Sequence, residues 1–264
     1  MGKLNFGKQN MQMTNRYMDK EKAFSQFEKK TVTLDSINLT ATNEKTFEYA
    51  IKGDQGPTVV LINGSGGPIE GWMKIWPLFD ASMRVFAYNR LGLGKSSAPI
   101  EPQNAVNMVE DLRKLLMTLN LQPPYLLVGH SLGGFIAHIF ASKYPQEALA
   151  VLFLESATVE DVKHNKKIVK GNPFTELNCV LESCEQILAL PPFPGIPIKV
   201  IAGFHPISRM WLPKGRFFKR FEHQKKLLEL SIQSNLIVAT KSGHFPQMNE
   251  PKCVVEAIYN LIGR

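Results

Sequence analysis

The sequence predicts an α/β fold with a mostly parallel, doubly wound sheet of about eight strands and helices on both faces. Three observations support this prediction. Short apolar runs alternate with helical patterns from about residue 58 onwards. The runs are apolar throughout, as in strands that helices cover on both faces. The chain has 264 residues, 44% hydrophobic and 20% charged, so it can bury the core of one large globular domain.

The strands are predicted in chain order from their composition and flanking turn residues. Two segments that alternate polar and apolar residues, "KKTVTL" and "KTFEYAI", predict antiparallel strands at the N-terminal edge of the sheet. The later strands are apolar and rich in β-branched residues, which is typical of buried strands. They are predicted at 58–63, 83–89, 125–130, 149–155, 198–203 and 235–240.

Helical patterns separate these strands. Apolar residues at helical spacing, with proline at a start or just after an end, mark the clearest of them. These helices are predicted at 105–119, 132–144 and 251–262.

The same pattern predicts the domain organisation. We expect residues 1–25 to be an N-terminal extension and residues 26–264 to form a single domain. Residues 156–197 leave room for a small lid at most. Residues 204–221 form an insertion at the same end of the sheet.

Several classes of protein are disfavoured by the composition. No apolar run approaches the roughly 18 residues that span a bilayer, and the polar N-terminus has no apolar core of a signal peptide. The three cysteines are an odd number without zinc-type spacing, which argues against a disulfide framework and a metal site. We therefore expect a cytoplasmic protein with reduced thiols.

The net charge of +8 is concentrated in two segments, 163–170 and 214–226. The second segment interleaves phenylalanines with basic residues. One interpretation is a surface for anionic substrates, membranes or nucleic acid. The favoured one is a helix with a packed aromatic side and a solvated basic side, because no nucleic-acid motif accompanies the charge. No nucleic-acid partner is expected, and membrane-surface contact stays an alternative.

Polar and glycine-rich residues follow several of the predicted strands. Ser131 follows the strand 125–130, Glu155 ends the strand 149–155, and His244 comes soon after the strand 235–240. A glycine-rich loop at 64–68 follows another strand. Because sites in such sheets collect beyond the carboxyl ends of the strands, these residues are expected at one edge.

Ser131 lies in "GHSLGG", a Gly-x-Ser-x-Gly pattern between a strand and a helix. A turn this sharp strains the serine backbone and requires neighbours without bulk, which Gly129 and Gly133 provide. The following helix would present backbone N–H groups to a developing oxyanion. The alternative is a glycine-rich turn whose serine only caps the helix. The motif favours a nucleophile.

A serine nucleophile needs a base, and six histidines are available. His130 adjoins Ser131 but would point away from its side chain. His244 lies in "SGHFPQMNEP", a loop between the last strand and the last helix that can reach back to the central strands. His244 is therefore the best candidate base.

These segments together resemble the α/β-hydrolase superfamily over about residues 55–264. "GHSLGG" resembles its nucleophile elbow, "SGHFPQMNEP" its histidine loop, "NGSGGP" its oxyanion loop, and "NRLGLGKSS" its Asp-x-x-Gly-x-Gly-x-Ser segment. The resemblance implies an α/β-hydrolase fold and an oxyanion hole formed by the backbone N–H groups of Ser65 and Leu132. It specifies the fold far better than the substrate.

The sequence departs from the family pattern at three places. Asn63 stands where the oxyanion loop usually opens with histidine, and Asn89 where the next segment opens with aspartate. Both sites serve loop architecture, so we expect the changes to be tolerated. The third departure is that no carboxylate follows the strand 198–203, where the family usually places its triad acid.

The acid is therefore sought at the end of the preceding strand, where some members of the superfamily carry it. Glu155 matches that position and could orient His244 and stabilise its imidazolium form. Glu160 and Asp161, about one turn further on, are the alternatives. Glu155 could also simply cap the next helix or pair with a lysine.

The resemblance thus implies a serine hydrolase that cleaves a carboxylic ester or related acyl bond without metal or cofactor. Ser131 attacks, His244 transfers the proton and Glu155 orients His244. Substrate contacts are expected from Gly64, Gly66, His130 and Trp211. The substrate is expected to be a small ester or acyl compound, and the oligomeric state is left open.

Other activities and roles stay open. The same triad serves peptidases, lactonases, thioesterases, carbon–carbon bond hydrolases and cofactor-free perhydrolases. Some members of the fold bind a ligand or partner as receptors with little turnover.

Overall fold

A computed structural model describes residues 24–34, 44–163, 172–205 and 214–263. Most of the predicted N-terminal extension lies outside the described residues. So do Trp211 and most of the basic segment 163–170.

The described chain folds into one eight-stranded sheet, and the predicted α/β class is confirmed. The spatial order of the strands is β1-β2-β4-β3-β5-β6-β7-β8. β1 pairs antiparallel with β2, and β2 antiparallel with β4, while all other pairs are parallel. The strands are β1 Lys30–Leu34, β2 Lys45–Lys52, β3 Gln55–Ile62, β4 Met83–Tyr88, β5 Tyr125–His130, β6 Ala148–Leu154, β7 Ile198–Gly203 and β8 Ser234–Ala239.

Helices follow most of the parallel strands. The first begins after Asn104, whose side chain caps it by accepting a hydrogen bond from the Asn107 N–H at 2.9 Å. The α-helices of the described chain are α1 Ala105–Thr118, α2 Gly133–Lys143, α3 Val159–Lys163, α4 Val180–Leu188, α5 Lys214–Lys226, α6 Pro246–Asn249 and α7 Pro251–Leu261. None of the helices in this part of the chain combines the length and apolar character that would cross a membrane.

The core has two layers because successive side chains of a strand point to opposite faces of the sheet. In β3, Val60 and Ile62 pack with residues of α1 and α2, whereas Val59 and Leu61 pack with residues of α7. All four side chains are fully buried. The central strands are apolar throughout because both of their faces are covered.

This topology brings two predicted site residues to neighbouring strand ends. His130, the last residue of β5, pairs with Leu154, the last residue of β6. Ser131 and Glu155 are the next residues of their strands. The Ser131 N–H donates to the Leu154 carbonyl at 3.2 Å. The serine and the carboxylate therefore leave the sheet side by side.

Candidate active site

Ser131 occupies a strained turn between β5 and α2. Its φ is +50°, a left-handed conformation that few residues other than glycine adopt. A Cβ at Gly129 would collide with the Gly133 backbone, and one at Gly133 would collide with the Ile62 carbonyl. The glycines of the motif thus allow α2 to pack closely against the sheet while the turn presents the serine side chain.

The Ser131 side chain is available for chemistry. The residue is partly exposed, and its hydroxyl makes no hydrogen bond with any described residue. It lines a cavity of about 180 Å³ together with His244. Leu177 and Val180, from the segment predicted as a small lid, form part of the apolar wall of this cavity.

The glycine-rich loop lies directly against the serine. A Cβ added at Gly64 would stand 3.0 Å from the Ser131 Cβ. In the described part of the chain, the backbone N–H groups of Ser65 and Leu132 donate to no protein acceptor. Two unpaired N–H groups beside a serine hydroxyl are what an oxyanion hole requires.

A buried ion pair holds this loop. Arg90 donates to the carbonyl oxygens of Asn63 at 2.7 Å and Gly64 at 2.6 Å, and its Nε bonds the Glu176 carboxylate at 2.5 Å. Glu176 also accepts the Gly66 N–H at 3.1 Å. Burial alone would raise the pKa of the Glu176 carboxyl, but the Arg90 charge and these hydrogen bonds hold it below its usual range. The pair fixes the loop from both its carbonyl and its amide sides.

The two asparagines that depart from the family pattern both support loop structure. Asn63 Nδ2 donates to the Pro68 carbonyl at 2.8 Å, which closes the glycine-rich loop on itself. Asn89 Oδ1 accepts the Ile69 N–H at 2.8 Å, and its Nδ2 donates to Glu48 at 2.6 Å. Asparagine can fill these positions because it offers both a donor and an acceptor.

Glu155 and His244 lie together beside the serine. Glu155 is 3% exposed, and its Oε2 is 3.4 Å from His244 Nδ1. The Gly203 N–H donates to its other oxygen at 2.6 Å. Burial alone would raise the pKa of the Glu155 carboxyl, but the nearby His244 ring, the Arg220 charge and the Gly203 N–H lower it below its usual range. The structure therefore presents an ionised, buried carboxylate to the histidine.

Arg220 of α5 also contacts both residues. Its Nε donates to Glu155 Oε2 at 2.9 Å, and its Nη2 lies 2.9 Å from His244 Nδ1. No hydrogen bond joins Ser131 to His244 in this arrangement. The serine, the histidine and the carboxylate are thus gathered at one site, with an arginine between the last two.

The two alternative acids have other partners, although Asp161 also lines the cavity that contains Ser131 and His244. Glu160 pairs with Lys226 at 3.1 Å. Asp161 bonds His223 at 2.7 Å and Thr158 at 3.0 Å. Of these three carboxylates, Glu155 is the one whose oxygen forms a contact with His244.

His130, predicted as a substrate contact, is buried against the histidine loop. The residue is 4% exposed, and its Nε2 lies 2.7 Å from the His244 carbonyl oxygen. Burial, and then the nearby His244 charge, lower the pKa of His130 to about 4. A neutral, buried ring bonded to the histidine loop supports that loop.

The other predicted substrate contacts are Gly64, Gly66 and Trp211. Gly66 lines a second cavity, of about 380 Å³, together with the predicted oxyanion donor Ser65, and this cavity shares Leu177 with the serine cavity. Gly64 packs against Ser131, as described above. Trp211 lies outside the described residues.

The basic aromatic segment folds as the helix α5, but its basic residues do not all face solvent. Lys219 and Lys225 are exposed, and the Phe221 ring packs on Phe204 with ring centroids 4.9 Å apart. Arg220 instead points to the site. Motif analysis did not identify Arg220, Arg90 or Glu176. Arg90 could have been found from one feature of the sequence, because it follows a predicted strand at the edge of the sheet where the site lies.

Comparison with known proteins agrees with this architecture. The family model for the alpha/beta hydrolase fold matches residues 57–194, more than half of the chain. The chain belongs to the alpha/beta hydrolase fold family. The resemblance inferred from the sequence motifs is thereby confirmed.

Individual relatives of this hydrolase-fold chain cover most of its length. The Bacillus subtilis protein YqjL, described as uncharacterized, is 26% identical over 250 residues, which cover 88% of this chain and 91% of YqjL. Among solved structures, a probable hydrolytic enzyme from Pseudomonas aeruginosa aligns with a TM-score of 0.67 at 18% identity, covering 89% of this chain and 94% of that one. A thermophilic esterase from Thermogutta terrifontis aligns with a TM-score of 0.64 at 20% identity, covering 88% and 97%. At these identities the solved structures establish a shared fold.

Proposed function

We propose that this alpha/beta hydrolase-fold protein is a serine hydrolase that cleaves carboxylic esters through an acyl-enzyme. The observation that carries the proposal is the Ser131 turn, in which a strained serine with a free hydroxyl stands beside two unpaired backbone N–H groups. Strain of this kind persists only where the surrounding structure enforces it, and it is concentrated at functional sites.

The proposed reaction proceeds in two steps. Ser131 Oγ attacks the ester carbonyl while His244 accepts the hydroxyl proton, and the Ser65 and Leu132 N–H groups stabilise the oxyanion. His244 then donates that proton to the departing alcohol. Water, deprotonated by His244, attacks the acyl-serine and releases the carboxylic acid and the free serine. Glu155 orients the ring and stabilises the imidazolium in both steps.

The shape of the two cavities favours a compact substrate. They measure about 180 and 380 Å³ and share Leu177; Ser131 lines the first, and Ser65 and Gly66 of the glycine-rich loop line the second. A scissile carbonyl at Ser131 would extend its acyl and alcohol parts into different cavities. We therefore expect short or medium apolar groups to be accepted better than long chains.

A panel of p-nitrophenyl esters with increasing acyl length tests this proposal. We expect hydrolysis to rise from acetate to a medium chain and to fall for long chains. The Ser131→Ala variant, with an unchanged thermal unfolding curve, should lose the activity. Equal rates in wild type and Ser131→Ala would overturn the assignment of the nucleophile.

A second candidate function is that of a ligand-binding member of the same fold that turns over little. The observation that favours it is that Ser131 and His244 share a cavity without a hydrogen bond between them. Under this alternative, esters would bind but would not acylate Ser131. Mass spectrometry of the intact protein after incubation with an activated ester separates the two candidates, since an acyl adduct on Ser131 belongs to the hydrolase alone.

A further inference from the structure

Arg220 lies between the two residues proposed as acid and base. Its Nε bonds Glu155 Oε2 at 2.9 Å, and its Nη2 stands 2.9 Å from His244 Nδ1 and 3.3 Å from the Glu155 carbonyl oxygen. Glu155 Oε2 and His244 Nδ1 are themselves 3.4 Å apart. That separation exceeds the ordinary N–H···O range of about 2.7–3.2 Å. The closest polar partner of Glu155 Oε2, and also of His244 Nδ1, is thus Arg220.

The contact with Arg220 determines which nitrogen of the His244 ring carries the proton. A guanidinium has donors and no acceptor. His244 Nδ1 must therefore accept the Nη2–H bond with its lone pair. In a neutral imidazole one nitrogen is a donor and the other an acceptor, so the proton resides on Nε2.

This tautomer is the opposite of the one that the reaction needs. A histidine base in a serine triad donates its Nδ1–H to the acid and keeps the Nε2 lone pair for the serine proton. With Nε2 already protonated, His244 cannot accept a proton from Ser131.

We propose that Arg220 is a positioning residue that holds His244 in the unreactive tautomer, and that it has to leave Nδ1 before Ser131 can be activated. The inference rests on the proposed hydrolase function and acts on the reaction through His244. When Arg220 leaves, the ring gives its Nε2 proton to water and takes one from water at Nδ1. The ring stays neutral, and Nδ1–H then bonds the Glu155 carboxylate.

The surroundings allow the Arg220 side chain to move while its helix stays in place. The side chain is 32% exposed and lines the cavity that also contains Ser131. The next turn of α5 is anchored separately. His223 bonds Asp161 at 2.7 Å, and Gln224 Nε2 donates to the Ser156 carbonyl at 2.7 Å. A rotation of the Arg220 side chain into the cavity breaks none of these anchoring bonds.

The tautomer can be measured directly on the wild-type protein. Long-range ¹H–¹⁵N correlation spectra distinguish a protonated from an unprotonated ring nitrogen, and the His244→Gln variant assigns the signals. The pH is raised until the pattern stops changing, so that the neutral ring is observed. We expect protonated Nε2 and unprotonated Nδ1 in the wild type, and protonated Nδ1 in Arg220→Met. Protonated Nδ1 in the wild type would overturn the proposal without reliance on any variant's folding.

Kinetics supply a second readout. Methionine keeps an unbranched apolar side chain at position 220 and removes the donors. Because a hydrogen bond to a charged group is worth a factor of about ten or more, we expect Arg220→Met to raise kcat for a short neutral ester about tenfold. KM should change little. The matched control is Lys219→Met, which removes the same charge from an exposed neighbour on α5 and should leave kcat unchanged. A folded Arg220→Met protein with lower kcat would contradict the proposal, because Arg220 would then support the active pair.

The two readouts separate this inference from the proposed function. The tautomer measurement requires no turnover and decides the role of Arg220. Acylation of Ser131 decides whether the protein is a serine hydrolase. If the tautomers are as expected but Ser131 is not acylated, the proposed role of Arg220 stands and the proposed serine hydrolase function fails.

Discussion

The two halves of the candidate site are held in different ways. On the oxyanion side, the buried Arg90–Glu176 pair bonds the glycine-rich loop at both carbonyl and amide groups. The Arg90 side chain is 2% exposed and that of Glu176 is 9% exposed. On the acid–base side, Arg220 and His244 have side chains that are 32% and 36% exposed. There Arg220 and His244 both contact the same oxygen of the buried Glu155 carboxylate.

The two halves are therefore suited to different tasks. An oxyanion hole gains from rigidity, because preformed donors need no reorganisation during the reaction. Proton transfer instead requires one ring to change partners and protonation state. A buried, hydrogen-bonded ion pair fixes the first half. Partly exposed, exchangeable contacts leave the second half able to change.

The largest expected effect is on activity and belongs to the acid–base half. Replacing His244 by glutamine removes the proposed base, and we expect kcat/KM for a short ester to fall by a factor on the order of 10⁵–10⁶. The control is His223→Gln, which keeps a donor toward Asp161 and should retain most of the activity. Retained activity in His244→Gln would show that another group serves as base.

The next largest expected effect on activity comes from replacing the three candidate carboxylates, one at a time, by amides. Glu155→Gln should lower kcat by roughly 10³–10⁴-fold, since the amide no longer stabilises the imidazolium or the required tautomer. Glu160→Gln and Asp161→Asn, which pair with Lys226 and His223, should stay close to wild type. A larger loss in Asp161→Asn than in Glu155→Gln would reassign the acid.

Stability should respond most to a change in the oxyanion half. Arg90→Met leaves Glu176 buried without its partner, and breaking a buried pair in this way costs about 3–5 kcal/mol of unfolding free energy. The matched control is Lys143→Met, because its pair with Glu110 is exposed and such pairs contribute roughly 0–1 kcal/mol. Urea denaturation of both variants measures the difference. Equal losses would show that the buried pair does not hold the loop.

The smallest expected effect is a dependence of stability on pH. The carboxyl pKa of Glu176 is lowered in the folded protein, so its contribution is complete above the unfolded value of about 4.3. That contribution is lost as the pH falls through the lower, folded pKa. Glu176→Gln should be less stable than wild type at neutral pH but should lose less stability on acidification from about pH 4 downwards. Parallel curves for the two proteins would show that Glu176 does not carry this dependence.

Most of the fold, but only part of the site, could be predicted from the sequence. The strands could be located from apolar runs, because a strand that is buried on both faces of the sheet has no alternation of polar and apolar residues. The neighbouring positions of Ser131 and Glu155 follow from parallel strands that end at one edge. The contacts of Arg220 with Glu155 and of Arg90 with Glu176 span 65 and 86 residues of chain. No local pattern marks such pairs, because only the folded chain brings an ordinary charged residue to a buried partner.

The central claim is that Ser131 is a nucleophile in the folded protein. Labelling with a fluorophosphonate probe, followed by peptide mass spectrometry, tests it most directly. We predict one covalent adduct on Ser131, its loss on prior denaturation, and its absence in Ser131→Ala. A folded, unlabelled protein, or an adduct on a different residue, would contradict the claim.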